Sequence, residues 1–307
     1  MSLPRNCPLC GANNEYQTVV TPHVYGPQRA GRAFFHCGCC DVRYLYPRLT
    51  AEQERQFYAS EFEGFMAARA GAGGGWNRVE DHIRANESTR LRRMRYLQPH
   101  LPAGGRILEI GCSSGFMLYP LIAAGYQCTA VEPSGAFGEY LKSRGVEVYA
   151  SLEELSAAAP TARFDAIMHF FVLEHITEPL PFLQFQLSLL RRGGRVVFEI
   201  PNAADPLYSV YDIAAFERFY WSVAHAWYFS QPSLRVLLKQ LGQPNEIVLD
   251  QRYDLSNHMV WARDGRPGGM ARFTPLLGQE LEDGYRQALI RSGKCDTLIG
   301  IIGSGRA

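Results

Sequence analysis

The chain has 307 residues, 47% hydrophobic and 20% charged, an ordinary globular composition that excludes disorder and fibre and allows one large domain or two unequal ones. Its 31 basic and 30 acidic residues leave a net charge of +1, so no global positive field draws it to nucleic acid or to an anionic membrane. No run of about 18 apolar residues and no leader with a cleavage site is readable, and the expectation is a cytoplasmic protein without a membrane partner.

The cysteines divide the chain. Cys7-Pro-Leu-Cys10-Gly and Cys37-Gly-Cys-Cys40 are two Cys-x2-Cys pairs, each suited to a tight turn, and together they supply four thiolates in the tetrahedral set that zinc prefers. The pair spacing selects Cys7, Cys10, Cys37 and Cys40 and leaves Cys39 spare. Between the pairs, residues 16–21 and 32–36 read as strands. A module this small needs a metal or other crosslink, so residues 1–50 are expected to form a ribbon around a structural Zn2+. All four positions are filled by protein, which leaves no place for water or substrate. Residues 51–100 read as a helical connector, with helical stretches at 51–70 and 84–98 around the glycine run 71–75. That run is either a plain linker or the hinge of a lid, in which Tyr58 would touch substrate.

From residue 106 short apolar runs alternate with helical stretches, the pattern of a parallel sheet covered by helices. Arg106-Ile-Leu-Glu-Ile-Gly-Cys-Ser-Ser-Gly-Phe116 enters a turn of small residues and leaves into a helix over 117–124. Gly111 and Gly115 let the backbone bend close to a ligand, and the helix start offers free amides. The next strand, 127–132, ends in Glu132, an acid placed to accept hydrogen bonds from ribose hydroxyls. Dinucleotide oxidoreductases and methyltransferases share this much. The order Glu109-x-Gly111-x-Ser113-x-Gly115 departs from the Gly-x-Gly-x-x-Gly of the former. It resembles motif I of class I S-adenosylmethionine-dependent methyltransferases, Asp/Glu-x-Gly-x-Gly-x-Gly, with Ser113 in place of a glycine. Phe164-Asp-Ala-Ile-Met-His-Phe-Phe-Val-Leu-Glu-His175 looks like that family's fourth strand and loop. Residues 189–202 look like its fifth-strand segment, with Gly193 and Gly194 ending a helix and 196–200 forming the strand.

The resemblance implies an α/β fold for residues 101–307, with a Rossmann-like seven-stranded methyltransferase sheet behind the small zinc ribbon, and S-adenosylmethionine as cofactor. It implies Glu109 and Gly111 on the methionine side, Ser113 and Gly115 in the turn, Glu132 at the ribose and Ser151 at the adenine. His169 and Phe170 would stand beside the cofactor.

A zinc ribbon ahead of this core resembles bacterial enzymes acting on sugars and secondary metabolites, sugar C-methyltransferases among them. The likeness includes His225 followed by Tyr228-Phe-Ser230 and Ser233-Leu234. In that group the histidine is a base, which implies His225 as general base; His175 is a second candidate. Two departures leave the reaction open. Val223 and Ala224 replace the His-Glu that precedes the group's histidine, and the chain ends before the second nucleotide-fold domain those enzymes carry. A small-molecule acceptor is expected, with O-methylation ahead of C- or N-methylation. The aromatic run 208–221 reads as a pocket wall or as core. Residues 232–241 read as a helix and 246–250 as the sixth strand, with either 258–262 or 297–302 as the seventh. The insertion between them, with a helix near 276–291, would serve homodimer contacts or cap the pocket. An RNA methyltransferase is the alternative, against which stand the neutral charge and the absence of a dense Lys/Arg run.

Overall fold

The computed structural model describes residues 3–27, 29–50, 52–53 and 79–303; Tyr58, the glycine run 71–75 and residues 54–70 of the expected connector helix lie outside them. The ribbon contains the two expected strands, β1 (Gln17–Thr21) and β2 (Ala33–Cys37), and a third, β3 (Arg43–Tyr46). They form an antiparallel meander. The two cysteine turns that close it are built alike. Cys7 accepts from the Gly11 amide and Cys37 from the Asp41 amide, and each turn ends in the left-handed region, Gly11 at φ +77° and Asp41 at φ +64°. Aspartate is among the few side chains that tolerate that conformation.

Behind the ribbon comes α1 (Val79–Ala85), then α2 (Glu87–Leu97), then the expected alternation of strand and helix. It comprises β4 (Arg106–Ile110), α3 (Leu118–Ala123), β5 (Gln127–Val131), α4 (Gly135–Ser143), β6 (Glu147–Tyr149), α5 (Leu152–Ala158), β7 (Phe164–Phe170), α6 (Pro179–Ser188) and β8 (Leu190–Pro201). Next are α7 (Pro206–Ser209), α8 (Ala214–Tyr220), β9 (Trp227–Tyr228), α9 (Gln231–Gln240), β10 (Asn245–Asp250), α10 (Leu255–Asp264), α11 (Thr274–Leu277), α12 (Gln279–Arg291) and β11 (Thr297–Gly303). The main sheet has seven strands in the order β10-β11-β8-β7-β4-β5-β6. Strands β4 to β8 pair in parallel, and β11 enters antiparallel between β8 and β10.

Residues 297–303, not 258–262, make the seventh strand; His258 lies in α10. A second correction concerns Gly193 and Gly194. The helix has ended at Ser188, and the pair sits inside β8 where the register with β7 jumps from Leu190 to Arg195. Gly193 has φ +78°, and a Cβ on Gly194 would lie 3.0–3.1 Å from three carbonyl oxygens. The glycines therefore make a bulge in a strand rather than a helix end.

Because helices cover both faces, the central strands are apolar on both sides. Leu97, Leu118, Leu121 and Leu141 cover one face; Leu155, Leu183, Leu234 and Leu237 cover the other. The second of these cores runs without a break into the ribbon through Phe35, Tyr44, Trp227 and Phe229. The two-residue strand β9 is the joint. It pairs with β3, Tyr44 opposite Trp227 and Arg43 opposite Tyr228, so the ribbon's sheet has four strands in the order β1-β2-β3-β9. Among the described residues no helix is long and apolar enough to cross a membrane.

One charged cluster interrupts the first face. Glu199 of β8, with its side chain fully buried, is held by Arg92 and by Arg93 Nε at 2.8 Å and accepts from the Tyr96 hydroxyl at 3.0 Å; Arg92 also pairs with Asp250 of β10. Burial alone would raise the Glu199 carboxyl, but Arg93 and Arg92 outweigh it and hold it at about 2. A depressed carboxylate stabilises the fold at pH above its unfolded value and loses that contribution as pH falls toward 2. Glu199→Ala leaves the buried Arg93 guanidinium without its carboxylate and Arg92 with Asp250 alone, and is expected to cost about 3–5 kcal/mol in urea unfolding at pH 7. The difference from wild type should shrink at pH 3; equal stability at pH 7 would contradict the assignment.

Candidate active site and metal centre

The cysteines predicted to bind metal do converge. Cys7, Cys10, Cys37 and Cys40 each bring a sulfur within 4.8 Å of the others, with Cys7–Cys40 and Cys10–Cys37 both at 3.7 Å. A disulfide needs about 2.05 Å, whereas a tetrahedron of thiolates about 2.3 Å from zinc has edges of about 3.8 Å. Two donors point at this cluster: the Leu9 amide toward Cys7 Sγ at 3.4 Å and Gln17 Nε2 toward Cys37 Sγ at 3.5 Å. Gln17 is in turn oriented by the Tyr44 hydroxyl at 2.8 Å. All eight cysteines are free thiols.

The second site is the turn after β4. Gly111, Ser113 and Gly115 all have positive φ, +70°, +51° and +76°. A Cβ at Gly111 would lie 2.8 Å from Val172 Cγ2, and one at Gly115 would lie 2.6 Å from Leu141 Cδ2. Ser113 occupies a position where a non-glycine residue costs on the order of 1 kcal/mol. Its amide recovers part of that cost by donating to Glu132 Oε2 at 2.6 Å, and the Ser134 amide donates to Glu132 Oε1 at 2.9 Å. Burial raises the Glu132 carboxyl while these two amides lower it. Glu109 is buried at the end of β4, and its Oε2 has no hydrogen-bond partner. Burial pushes its carboxyl up to about 8, with Arg93 opposing and Glu132 adding.

The other cofactor candidates separate. Glu109 pairs in register with Met168, and Ile110 with His169. Alternation along a strand therefore puts His169 on the opposite face of the sheet from Glu109. There His169 stacks on Phe198, centroids 5.1 Å apart and planes at 7°, with Phe182 edge-on at 5.5 Å. Fully buried, it is held neutral, its pKa driven down to about 3. The structure thus places His169 on the face away from Glu109, as a buried ring between Phe198 and Phe182. Phe170 does share the Glu109 face, under the Arg93 guanidinium at 4.0 Å. The Ser151 hydroxyl caps α5, accepting from the Glu154 amide at 3.2 Å.

The two histidines named as bases come together from distant parts of the chain. His175 follows β7 and His225 precedes β9, and their rings lie 4.8 Å apart edge to face. Glu174 joins them: one carboxylate oxygen and one nitrogen from each ring lie within 4.8 Å of one another. His225 and Glu174 are buried. His175 Nδ1 is 2.8 Å from the Ala224 carbonyl, and a pocket opens beside it, lined by Leu45, Arg48, Leu49, Thr177, Val223 and Ala226. The aromatic run 208–221 is largely core. Phe216, Tyr220 and Trp221 pack with the ribbon's Phe34 and Leu45; the outer Phe219 borders an open cleft, with Tyr25, Arg218 and Trp261.

Sequence reasoning missed three residues here. His82 of α1 reaches the glycine turn, its Nδ1 2.7 Å from Ser114 Oγ, but nothing in its own segment marks it. Arg93 bridges Glu199 and the Phe170 face from the middle of a helix rich in arginine. Glu174 lies in the Leu173-Glu174-His175 run, where no local pattern shows that the acid meets His225.

Comparison with known proteins agrees with this geometry. The family profile described as "Methyltransferase domain" matches residues 81–244. The ubiquinone biosynthesis O-methyltransferase of Xanthomonas axonopodis pv. citri is 28% identical over 131 residues, 40% of this chain and 54% of that one. Its namesake in Aromatoleum aromaticum is 34% identical over 107 residues, 33% of this chain and 45% of that one. The chain thus spans about half the length of the curated relatives it matches. Among solved structures, the plantazolicin methyltransferase BamL, in complex with a triazolic desmethylPZN analog and SAH, superposes with a TM-score of 0.50 at 14% identity, over 83% of this chain and 95% of that one. At that identity the likeness is one of fold.

Gly111→Ala adds both a positive-φ penalty and an overlap with Val172, and is expected to cost about 2–4 kcal/mol. Gly125→Ala, at φ +90° with nothing within 4 Å of its Cβ, carries the first penalty alone and should cost about 1 kcal/mol. Equal losses in the two urea unfolding curves would refute the close approach at Gly111.

Proposed function

The chain belongs to the methyltransferase domain family, and from that premise we propose that it transfers a methyl group from S-adenosylmethionine to an oxygen of a small molecule, a sugar or secondary metabolite. The observation that carries the reading is the glycine turn after β4 with its two buried acids, Glu109 and Glu132. The residues present fit the cofactor. Glu109 has a buried carboxylate oxygen without a partner, a demand that a ligand's ammonium group would meet. Gly111 and Gly115 let the turn fold tightly, since a Cβ on either would run into Val172 or Leu141. Glu132 already accepts from two amides, but each carboxylate oxygen has a second lone pair for a ribose hydroxyl. When bound, S-adenosylmethionine supplies an electrophilic methyl group; its transfer makes an O–CH3 bond, leaves the electrons of the broken C–S bond on sulfur and frees the hydroxyl proton.

His225 is the base that takes that proton in this reading, since an imidazole titrates near neutrality. Its burial keeps bulk water from the reacting oxygen, and His175 beside it is the second proton-accepting group. The four-cysteine cluster holds a structural Zn2+, with the Leu9 amide and Gln17 steadying its sulfurs.

Incubation with methyl-labelled S-adenosylmethionine and a lysate is expected to put label in the small-molecule fraction. Label confined to RNA would replace this function with its alternative. With the acceptor in hand, His225→Ala should lower kcat by about 100-fold or more while leaving S-adenosylmethionine affinity within about twofold; wild-type turnover would remove His225 from the chemistry. Metal analysis should find one zinc per chain. Cys10→Ser should lose it and also lower kcat, because β9 hangs on the ribbon. Full zinc retention in Cys10→Ser would overturn the cluster as a metal centre.

A further inference from the structure

We propose that Glu174 is a positioning residue for this reaction: its buried carboxylate stabilises the positive charge that His225 acquires on taking the acceptor's proton. The inference rests on His225 as the base. Methyl transfer from a sulfonium to a neutral hydroxyl carries one positive charge through the site. The O–H bond breaks, its proton goes to a ring nitrogen of His225, and the charge that sulfur loses appears on the imidazolium. In a buried setting such a charge needs a counterion, and Glu174 brings an oxygen within 4.8 Å of both rings.

The geometry around the pair defines the proton positions further. A carbonyl can only accept, so His175 Nδ1, 2.8 Å from Ala224 oxygen, carries a proton, and its Nε2 is the basic nitrogen of the neutral ring. Because Ala224 immediately precedes His225, this bond also ties the loop after β7 to the segment that presents the base. The carboxylate that accompanies the pair comes from the residue next to His175, on the same short helical turn, Leu173–His175. One loop therefore supplies both the tether and the counterion, and neither needs a contact from the cofactor turn. The titratable groups beside His225 include His175, Glu174 and Tyr228, whose ring is 5.1 Å away. Arg48 lies across the adjoining pocket and is paired with Glu178 at 3.0 Å.

The test compares pH profiles of kcat for the full chain, wild type against Glu174→Gln, with the acceptor identified by methyl labelling. Removing the negative charge disfavours the imidazolium, so the acid limb should move to lower pH by about one unit, and kcat at its plateau should fall by about 10- to 100-fold. S-adenosylmethionine affinity and acceptor KM should stay within about twofold. Glu174→Asp keeps the charge but withdraws it by one methylene. Its limb should hold within about 0.3 unit of wild type while kcat falls several-fold. A Glu174→Gln limb that does not move overturns the proposal even if kcat falls, because packing alone would then explain the loss. An Asp variant with unchanged kcat overturns it even if the Gln variant does not fold. A second metal ion per chain that disappears in Glu174→Gln would make the cluster a metal centre and overturn it as well. Failure of the underlying reading looks different: His225→Ala would then turn over like wild type, whatever Glu174→Gln does.

Discussion

The pairing of β3 with β9 is the contact on which the rest of the site depends. Two residues, Trp227 and Tyr228, leave the region after the main sheet and become the fourth strand of the ribbon. Around them the Leu45 amide donates to Ala226 oxygen and the Val223 amide to Tyr25 oxygen, and the Ser230 hydroxyl donates to Asp41 oxygen at 3.2 Å. His225 lies between these anchors. The ribbon is thus a clamp on the segment that carries His225. A two-residue strand cannot hold itself. It is held by being buried, with Trp227 and Tyr228 both about 1% exposed, and by Arg48, whose guanidinium sits 4.3 Å over the Trp227 ring and donates to Thr177 oxygen at 2.8 Å. That last bond reaches the loop that carries Glu174 and His175, so one side chain touches both halves of the histidine pair's support.

On the other side of the active region the organising charge is Glu199. It fixes α2 on the sheet through Arg92 and Arg93, and Arg93 in turn covers Phe170. The same arginine acts on two buried carboxyl groups with opposite results. Glu199, bonded directly by both arginines, is held at about 2. Glu109, which Arg93 reaches only through space, is pushed by burial to about 8. One carboxylate is structural and satisfied; the other is left with an open oxygen, and in a binding site such an oxygen is an invitation to a cation.

The glycine turn shows how a departure from the family pattern is accommodated. Ser113 adopts φ +51°, and its amide is bonded to Glu132, the acid proposed for the ribose. The strained turn and that acid are therefore one unit, in which the hydrogen bond that offsets the strain also orients the carboxylate.

Much of this was legible in the chain itself. Alternating apolar runs gave the order of strands β4 to β8, because strands covered on both faces must be apolar throughout. The Cys-x2-Cys spacing gave the four sulfurs, because a turn that brings two thiols onto one centre permits few separations. The turn at Gly111 and Gly115 was readable because a backbone at positive φ admits few residue types. What the sequence could not decide was which face a strand residue presents once neighbours are paired. His169 and Glu109 looked equally close to the turn, and the register of β4 against β7 alone sends them to opposite sides. Nor could local pattern show that residues 227–228 complete a sheet begun 210 residues earlier, or that Glu174 and His175 meet His225. Those are contacts between segments with no common periodicity, and they exist only once the cores of the ribbon and of the main sheet have merged.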